Sequence, residues 1–351
     1  MKAVFAIPGD IATKTGGYIY ERSLLWALRD LGWAVEHLEL PAGFPHPSAA
    51  EMADSAALLR AVPADCPIII DGLVFGSLDS EILQNLAAPF VAMTHHPLGY
   101  ETGLSAEMAQ ALIRREKTNL GLALQVVVPS PHTYEVLRDD FAVDPARMQI
   151  ALPGVTRPSG APCPVDPPLI LSVGILAERK GHDVLLKALS QITDLRWQAA
   201  IVGKSHDKNL PARLTDLAVK LGVAERVRFT GLINDTALVK LYHQASLFAL
   251  ATRYEGYGMA FAEALTHGLP IVTCRAGAVP QTVPETAGQL VPVDDDRQFA
   301  AALRLILTDA TARDSLAQGA RAAGEALPSW RDTAQIMARA VMAAKEGSSF
   351  S

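Results

Sequence analysis

The chain of 351 residues carries a net charge of −6, with 50% hydrophobic and 19% charged residues. This composition excludes an intrinsically disordered chain, and the length predicts two domains of roughly 100–200 residues each. Residues 1–160 contain 11 basic and 18 acidic residues. That balance excludes a basic footprint for nucleic acid and makes an anionic membrane surface a poor partner for this half.

The start of the chain and its cysteines indicate a cytoplasmic protein. The apolar run over 3–7 is too short for a signal peptide, and no stretch reaches the roughly 18 apolar residues of a membrane span. Cys66, Cys163 and Cys274 are odd in number and widely spaced. They match neither a disulfide framework nor a metal site.

The first half alternates short apolar runs with helical spacing. A Gly-rich loop ending at Gly16-Gly17 follows the first run, and a helix is predicted over 18–31. Strands alternating with helices of 10–15 residues indicate βαβ units and a parallel sheet. The strands of this half are predicted at 2–7, 33–40, 68–71, 90–94, 125–128 and 148–152.

Six prolines between 153 and 168 then interrupt the pattern, and proline suits neither a helix interior nor a central strand. We expect an interdomain linker over 156–168. The alternation restarts after it, and Ser329 is a plausible N-cap for a last helix over 330–344. Strands are predicted at 169–173, 198–202, 227–230, 247–251 and 270–273, and helices at 181–192, 210–221, 236–244 and 258–267.

The chain is therefore predicted to be an α/β protein with two doubly wound, Rossmann-like domains over 1–155 and 169–328, followed by a helical segment over 329–351. Open α/β sheets bind ligands at the carboxyl ends of their strands. A cleft between the two sheets is the expected site.

The most informative motif lies between a predicted strand and a predicted helix, at residues 253–265, R-Y-E-G-Y-G-M-A-F-A-E-A-L. Gly256 and Gly258 allow backbone N–H groups to turn outward at the helix start, which suits a diphosphate. Glu255 precedes the helix, and Glu263 lies inside it. Ionised carboxylates accept hydrogen bonds, so the two could contact different hydroxyl-bearing parts of one ligand.

This motif resembles the E-G-F-G…E signature of the retaining family 4 glycosyltransferases, which have the GT-B fold. The resemblance extends over most of 1–345 and is strongest over 169–295. It implies that Glu255 contacts the donor sugar and that Glu263 binds the nucleotide ribose. It also implies that the amides of Gly258, Met259 and Ala260 approach the diphosphate and sugar.

Residues 172–181, S-V-G-I-L-A-E-R-K-G, resemble the family segment that supplies an arginine and a lysine to the donor phosphates. Lys180 matches the lysine, whereas Ile175 stands where the arginine is usual. Arg179 and Arg253 are candidate substitutes for that arginine. Positive charge is needed because the leaving group is a nucleoside diphosphate and the resemblance implies no metal or other cofactor.

In the first domain the resemblance points to two loops. Gly16 and Gly17 match a Gly-Gly loop whose backbone approaches the donor. A histidine is expected at the end of the fourth strand, facing the donor sugar; His96 matches best, and His95 is the alternative. The His-His pair has no third ligand at metal spacing, so no metal site is predicted.

Three further positions are implied to line the nucleotide pocket through backbone atoms, namely Gly203, Gly231 and Leu232. The last helix, which starts near Trp330, resembles a family segment that returns from the second domain to pack on the first.

The resemblance implies a retaining, metal-independent hexosyltransferase that uses a UDP- or GDP-sugar and an unidentified hydroxyl acceptor, in glycoconjugate or polysaccharide biosynthesis. Peripheral association with the inner membrane is compatible with this role. Alternatives are a sugar-phosphate phosphorylase or a sugar-nucleotide epimerase on the same fold, and a non-enzymatic two-domain sugar-binding protein. A nicotinamide dehydrogenase is disfavoured because neither domain has G-x-G-x-x-G after its first strand.

Overall fold

A computed structural model describes residues 1–101, 103–205 and 207–347. The chain divides into two compact units. Unit 1 consists of Met1–Gly154 together with Pro328–Ser351, and unit 2 consists of Val155–Leu327. Each unit contains one six-stranded sheet with helices, so the predicted pair of α/β domains is confirmed.

Unit 1 has a wholly parallel sheet in the strand order β2-β1-β3-β4-β5-β6. Its central strands are buried along their length, as the continuous apolar runs of the sequence predict for a sheet covered on both faces. The elements are β1 (Lys2–Pro8), α1 (Gly16–Asp30), β2 (Ala34–Leu40), α2 (Ala49–Arg60), β3 (Ile68–Asp71), α3 (Gly72–Ser77), α4 (Ser80–Gln84), β4 (Phe90–Met93), α5 (Ala106–Leu122), β5 (Gln125–Val128), α6 (Pro131–Asp139) and β6 (Met148–Ile150).

Unit 2 also has a parallel sheet, in the order β12-β11-β10-β7-β8-β9. The elements are β7 (Leu169–Val173), α7 (His182–Ser190), β8 (Gln198–Val202), α8 (Leu210–Lys220), β9 (Val227–Gly231), α9 (Asp235–Gln244), β10 (Ala245–Leu250), α10 (Met259–Thr266), β11 (Ile271–Cys274), α11 (Val279–Thr282), β12 (Gly288–Val291), α12 (Asp296–Thr308) and α13 (Ala310–Ala326).

The last helix, α14 (Trp330–Gly347), packs within unit 1 against α1, β4 and β5. Ser329 caps it, because its Oγ accepts from the Asp332 N–H at 3.3 Å while the Asp332 carboxylate accepts from the Ser329 N–H at 2.8 Å. The Trp330 ring packs edge-on against Tyr20, with centroids 5.5 Å apart. The Trp330–Tyr20 contact, together with a hydrogen bond from the Thr333 hydroxyl to the Leu152 carbonyl at 2.7 Å, therefore fixes the helix to unit 1.

The proline-rich segment is held against unit 2. The Cys163 N–H donates to the His243 carbonyl at 2.8 Å, and the Val165 N–H donates to the Gln244 carbonyl at 3.1 Å. The Arg157 guanidinium donates to the carbonyls of Glu325 and Leu327, both at 2.9 Å, at the end of α13. The segment is an ordered part of this unit despite having no helix or strand.

Two local expectations were wrong. Gly16 and Gly17 form the first turn of α1 rather than the loop before it, with Thr15 at the N-cap position. Strand β12 was missed because Gly288 and Gln289 shorten its apolar run to two residues.

Among the residues that the structure describes, no helix combines the length and the apolarity needed to cross a bilayer.

Glu116 on α5 is fully buried. One of its oxygens accepts from the Leu98 N–H at 2.9 Å, and the other has no hydrogen-bond partner among the described residues. Burial raises the pKa of this carboxyl from 4.5 to about 8. Between these two values the folded state holds a proton that the unfolded state has released, so the contribution to stability falls as the pH rises through this window.

We therefore expect Glu116→Gln to flatten the pH dependence of stability. The wild-type free energy of unfolding carries a term from this residue that falls by about 1.4 kcal/mol per pH unit between roughly pH 5 and pH 8, and glutamine cannot titrate. Urea denaturation at four pH values measures the slope in both proteins. The exposed Glu36→Gln serves as a control and should keep the wild-type slope; an unchanged slope in Glu116→Gln would contradict the assignment.

Candidate active site

The sheet of unit 2 reverses its strand order at β7, which pairs with β8 on one side and β10 on the other. The loops that follow β7 and β10 therefore leave neighbouring strands in opposite directions at the carboxyl edge. This is the point where open α/β sheets bind ligands. Lys180 lies at the end of the first loop, and Glu255 lies in the second.

Lys180 and Glu255 form a buried ion pair. The Lys180 Nζ lies 2.5 Å from the Glu255 Oε1, and the residues are 8% and 6% exposed. The Thr252 hydroxyl donates to the same carboxylate oxygen at 3.1 Å, and the Arg179 guanidinium lies 3.9 Å from the other. Two cations thus face one carboxylate.

Glycine allows the two loops to approach each other. Gly181 has a left-handed backbone with φ +62°, and a Cβ there would lie 1.9 Å from the Ala251 carbonyl oxygen. The Arg253 N–H donates to the Arg179 carbonyl at 2.7 Å, which ties the loops together through their backbones. A side chain at residue 181 would push apart the strand ends that bring Lys180 to Glu255.

The predicted nucleotide-pocket positions also meet at this edge. Gly203 follows β8, and a Cβ there would lie 1.8 Å from the Gly174 carbonyl oxygen in the loop after β7. The Gly203 N–H donates to the Gly231 carbonyl at 3.1 Å. Leu232 follows β9 and is 54% exposed, which leaves an apolar surface beside these backbones.

Helix α10 begins directly after the Glu255 loop. Gly258 occupies the N-cap position with φ +94°, and the first turn contains no acidic side chain. The N–H groups of Met259 and Ala260 fall in the turn where a helix offers no carbonyl partner of its own. Such a helix end attracts anions.

Glu263 lies one turn further along α10 and contacts a different group. Its Oε2 accepts from the Tyr242 hydroxyl at 2.8 Å, and the Tyr242 ring stacks on His267 with centroids 4.5 Å apart. Burial raises the pKa of the Glu263 carboxyl above its usual value. The two glutamates thus lie in separate hydrogen-bond networks.

The two candidate arginines differ in their surroundings. The Arg253 guanidinium lies 3.0 Å from Asp183 and 2.7 Å from Asp294, so two carboxylates compensate its charge. Arg179 instead lies beside Glu255. Of the two, only Arg179 contacts the Lys180–Glu255 pair.

Unit 1 reverses its strand order at β1, which pairs with both β2 and β3. The predicted glycines follow β1, and a Cβ on Gly17 would lie 3.6 Å from the His95 ring. His95 also packs edge-on against Tyr20, with centroids 5.2 Å apart. His96 instead pairs with Glu101 at 3.1 Å. The structure therefore brings His95, the alternative, to the glycine turn.

The sequence reasoning missed two acidic residues beside His95. Ligand atoms of Glu21, Asp71 and His95 all lie within 4.8 Å of one another, and both carboxyls are 2% exposed. Burial raises the pKa of Glu21 to about 7 and that of Asp71 well above its usual range, and it lowers the pKa of His95. A signal was available, because Glu21 falls on the apolar face of α1 beside Leu24 and Leu28.

Comparisons with known proteins show which proteins this chain is similar to. Residues 160–323 match the family described as "Glycosyl transferases group 1". This match covers a little under half of the chain. The chain spans about half the length of the curated relatives it matches.

Two of these relatives are named D-inositol 3-phosphate glycosyltransferase. The one from Mycobacterium marinum is 30% identical over 207 residues, which cover 55% of this chain and 44% of the relative. The one from Xylanimonas cellulosilytica is 33% identical over 175 residues, which cover 50% and 42%.

Similarity to solved structures over nearly the whole chain shows that it has the GT-B fold. Sucrose-phosphate synthase from Thermosynechococcus elongatus is similar with a TM-score of 0.83 and 23% identity, covering 96% of this chain and 97% of that one. HepE from Anabaena, in complex with UDP and glucose, is similar with a TM-score of 0.74 and 17% identity, covering 97% and 99%.

Gly181→Ala tests whether close backbone approach fixes the Lys180 loop. Gly222 is a matched control, because its φ is +70° but nothing lies within 4 Å of a Cβ there. We expect Gly222→Ala to lower the free energy of unfolding by about 1–2 kcal/mol, the cost of a left-handed alanine. Gly181→Ala should cost clearly more, because the Ala251 carbonyl must also move. Equal losses in urea denaturation would show that the contact does not constrain the loop.

Proposed function

We propose that the chain is a retaining, metal-independent glycosyltransferase that moves a hexose from a UDP- or GDP-sugar to a hydroxyl acceptor. The observation that carries this proposal is the convergence of Lys180, Arg179 and Glu255 at the strand reversal of unit 2, next to the start of α10. This arrangement suits a ligand with a diphosphate and a hydroxylated sugar.

The donor diphosphate would bind beside Lys180 and Arg179. Lys180, Arg179 and the first amides of α10 offset its charge, which is why no metal is assigned there. Arg179 takes the place of the arginine that Ile175 cannot supply. Diphosphate oxygens would compete with Glu255 for the Lys180 ammonium, which frees that carboxylate to accept from sugar hydroxyls.

The nucleoside would occupy the other end of this edge. Glu263 is oriented by Tyr242 and has a second oxygen for the ribose hydroxyls. The backbones of Gly203 and Gly231 lie together, and exposed Leu232 offers an apolar surface for a base. Gly258, Met259 and Ala260 present amides between these two ends.

Unit 1 supplies the acceptor side of the reaction in this proposal. Gly16 and Gly17, in the first turn of α1, and a histidine after β4 are the residues assigned to it. His96 remains the residue that matches the family pattern, whereas His95 lies beside Gly17. A small side chain at the start of α1 lets substrate approach the backbone.

Retention follows from attack on the face that the leaving group vacates. The bond between the anomeric carbon and the phosphate oxygen breaks, and the acceptor oxygen forms its bond on the same face. The departing phosphate takes the hydroxyl proton, so no separate base is required. Lys180 and the α10 amides stabilise the charge that develops on the diphosphate.

The names of similar proteins guide the choice of substrates. Relatives are named D-inositol 3-phosphate glycosyltransferase, and a similar structure holds UDP-glucose. UDP-sugars and a cyclic polyol phosphate are therefore the first donor and acceptor to test. The proposed role is cytoplasmic glycoconjugate or polysaccharide assembly.

Calorimetric titration with UDP, GDP and ADP tests donor binding, first with EDTA and then with magnesium. We expect one nucleotide to bind with micromolar affinity and equally well in both buffers, because Lys180 and the helix amides neutralise the diphosphate. Binding only with magnesium would contradict metal independence. No binding to a folded sample would favour a sugar-phosphate enzyme or a sugar-binding protein instead.

Substitutions of Glu263 and Glu255 should have different effects on nucleotide affinity and on kcat. We expect Glu263→Ala to raise the dissociation constant of the nucleotide about tenfold, the cost of losing a charged hydrogen bond to ribose. Glu255→Gln should keep that affinity and lower kcat about 100-fold, because the sugar loses a charged contact. The exposed Glu225→Ala is the control for both. Unchanged nucleotide affinity and kcat in both variants would refute the site.

A further inference from the structure

We propose that Glu21, Asp71 and His95 form a binding site for a divalent transition-metal ion in unit 1. The three residues come from α1, from the end of β3 and from the loop after β4. They meet at the carboxyl edge of the sheet, beside the strand reversal at β1. All three residues belong to unit 1, whereas the diphosphate contacts proposed above belong to unit 2.

The distances between the side chains fit a bridging ion. The Glu21 Oε1 and the His95 Nε2 lie 3.7 Å apart, too far for a direct hydrogen bond. Neither atom has another hydrogen-bond partner in the described part of the chain, although both are buried. Ligand atoms bound to one zinc ion at 2.0–2.2 Å lie roughly 3.3–3.8 Å apart at ordinary bond angles.

Burial of the two carboxyls also calls for a cation. Glu21 and Asp71 are each 2% exposed, and within residues 1–101, 103–205 and 207–347 neither forms an ion pair with a lysine or an arginine. The two carboxyls share a hydrogen bond with each other, and ionising both of them in this buried place is unfavourable without a cation. A divalent ion offsets the charges of both carboxylates and gives the Glu21 Oε1 and the His95 Nε2 a partner.

The ligand set indicates which ions fit. Imidazole suits zinc and its neighbours in the first transition row, and carboxylates also suit manganese. Three protein ligands leave one coordination position open. The ion would also hold the imidazole beside Gly17.

The protein scaffold around the site is already fixed. The Asp71 Oδ1 accepts from the Leu73 N–H at 2.9 Å as the cap of α3, and the His95 carbonyl accepts from the Thr133 hydroxyl at 3.2 Å. A Cβ on Gly72 would lie 2.9 Å from the Met93 carbonyl oxygen, so the ends of β3 and β4 are close. The ligands are thus held before the ion arrives.

Titration of the chelator-stripped full chain with zinc chloride and with manganese chloride tests the proposal. We expect one ion per chain with a micromolar or tighter dissociation constant, and a higher thermal midpoint with the ion present. Asp71→Asn retains a cap for Leu73 and should weaken binding about tenfold or more, because a charged ligand is lost. Glu21→Gln should weaken binding similarly.

Other metal-binding side chains are controlled separately. His46→Gln removes an exposed histidine and Cys163→Ser removes an exposed thiol, and both variants should bind as the wild type does. X-ray absorption of the zinc form should show imidazole and carboxylate ligands. Sulfur ligation, absence of stoichiometric binding, or wild-type affinity in both Asp71→Asn and Glu21→Gln would overturn the proposal. The thermal midpoints of the ion-free variants show whether they are folded.

Discussion

The Lys180–Glu255 ion pair is the constraint on which the rest of unit 2 depends. Removing two charges from water costs several kcal/mol per ion, and their attraction repays this only with good geometry and further hydrogen bonds. Thr252 and Arg179 supply those contacts, and Gly181 lets the two loops come close enough. Without a ligand the pair compensates itself, and a bound anion would redistribute these charges.

The two sheets reach similar sites by different strand orders. Unit 1 places its first strand second in the order, whereas unit 2 places its first strand in the middle. Each still collects charged side chains where the order reverses. The reversal in unit 2 carries Lys180, Arg179 and Glu255, and that in unit 1 carries Glu21 and Asp71. We therefore expect an anionic ligand at the reversal in unit 2 and a cationic ligand at the reversal in unit 1.

Sequence patterns predicted the helices and strands, because these depend on residues that are neighbours in the chain. Continuous apolar runs predicted most strands within one or two residues, and the glycines around 256–258 predicted the start of α10. Contacts across the sheet were not predictable: Lys180 and Glu255 are 75 residues apart, and Asp183 and Asp294 enclose Arg253. The choice between His95 and His96 depended on side-chain direction, which the T-H-H sequence does not specify.

Ile175 stands where the glycosyltransferase pattern that the sequence resembles has an arginine, and Arg179 lies close by. The turn over Glu178–Lys180 brings Arg179 beside Lys180, so both cations reach Glu255 although residue 175 is apolar. The backbone of Ile175 retains a role, because its carbonyl lies 3.4 Å from the buried His182 ring. Two cations still face one carboxylate here, and we infer that the positive charge has moved along the loop rather than been lost.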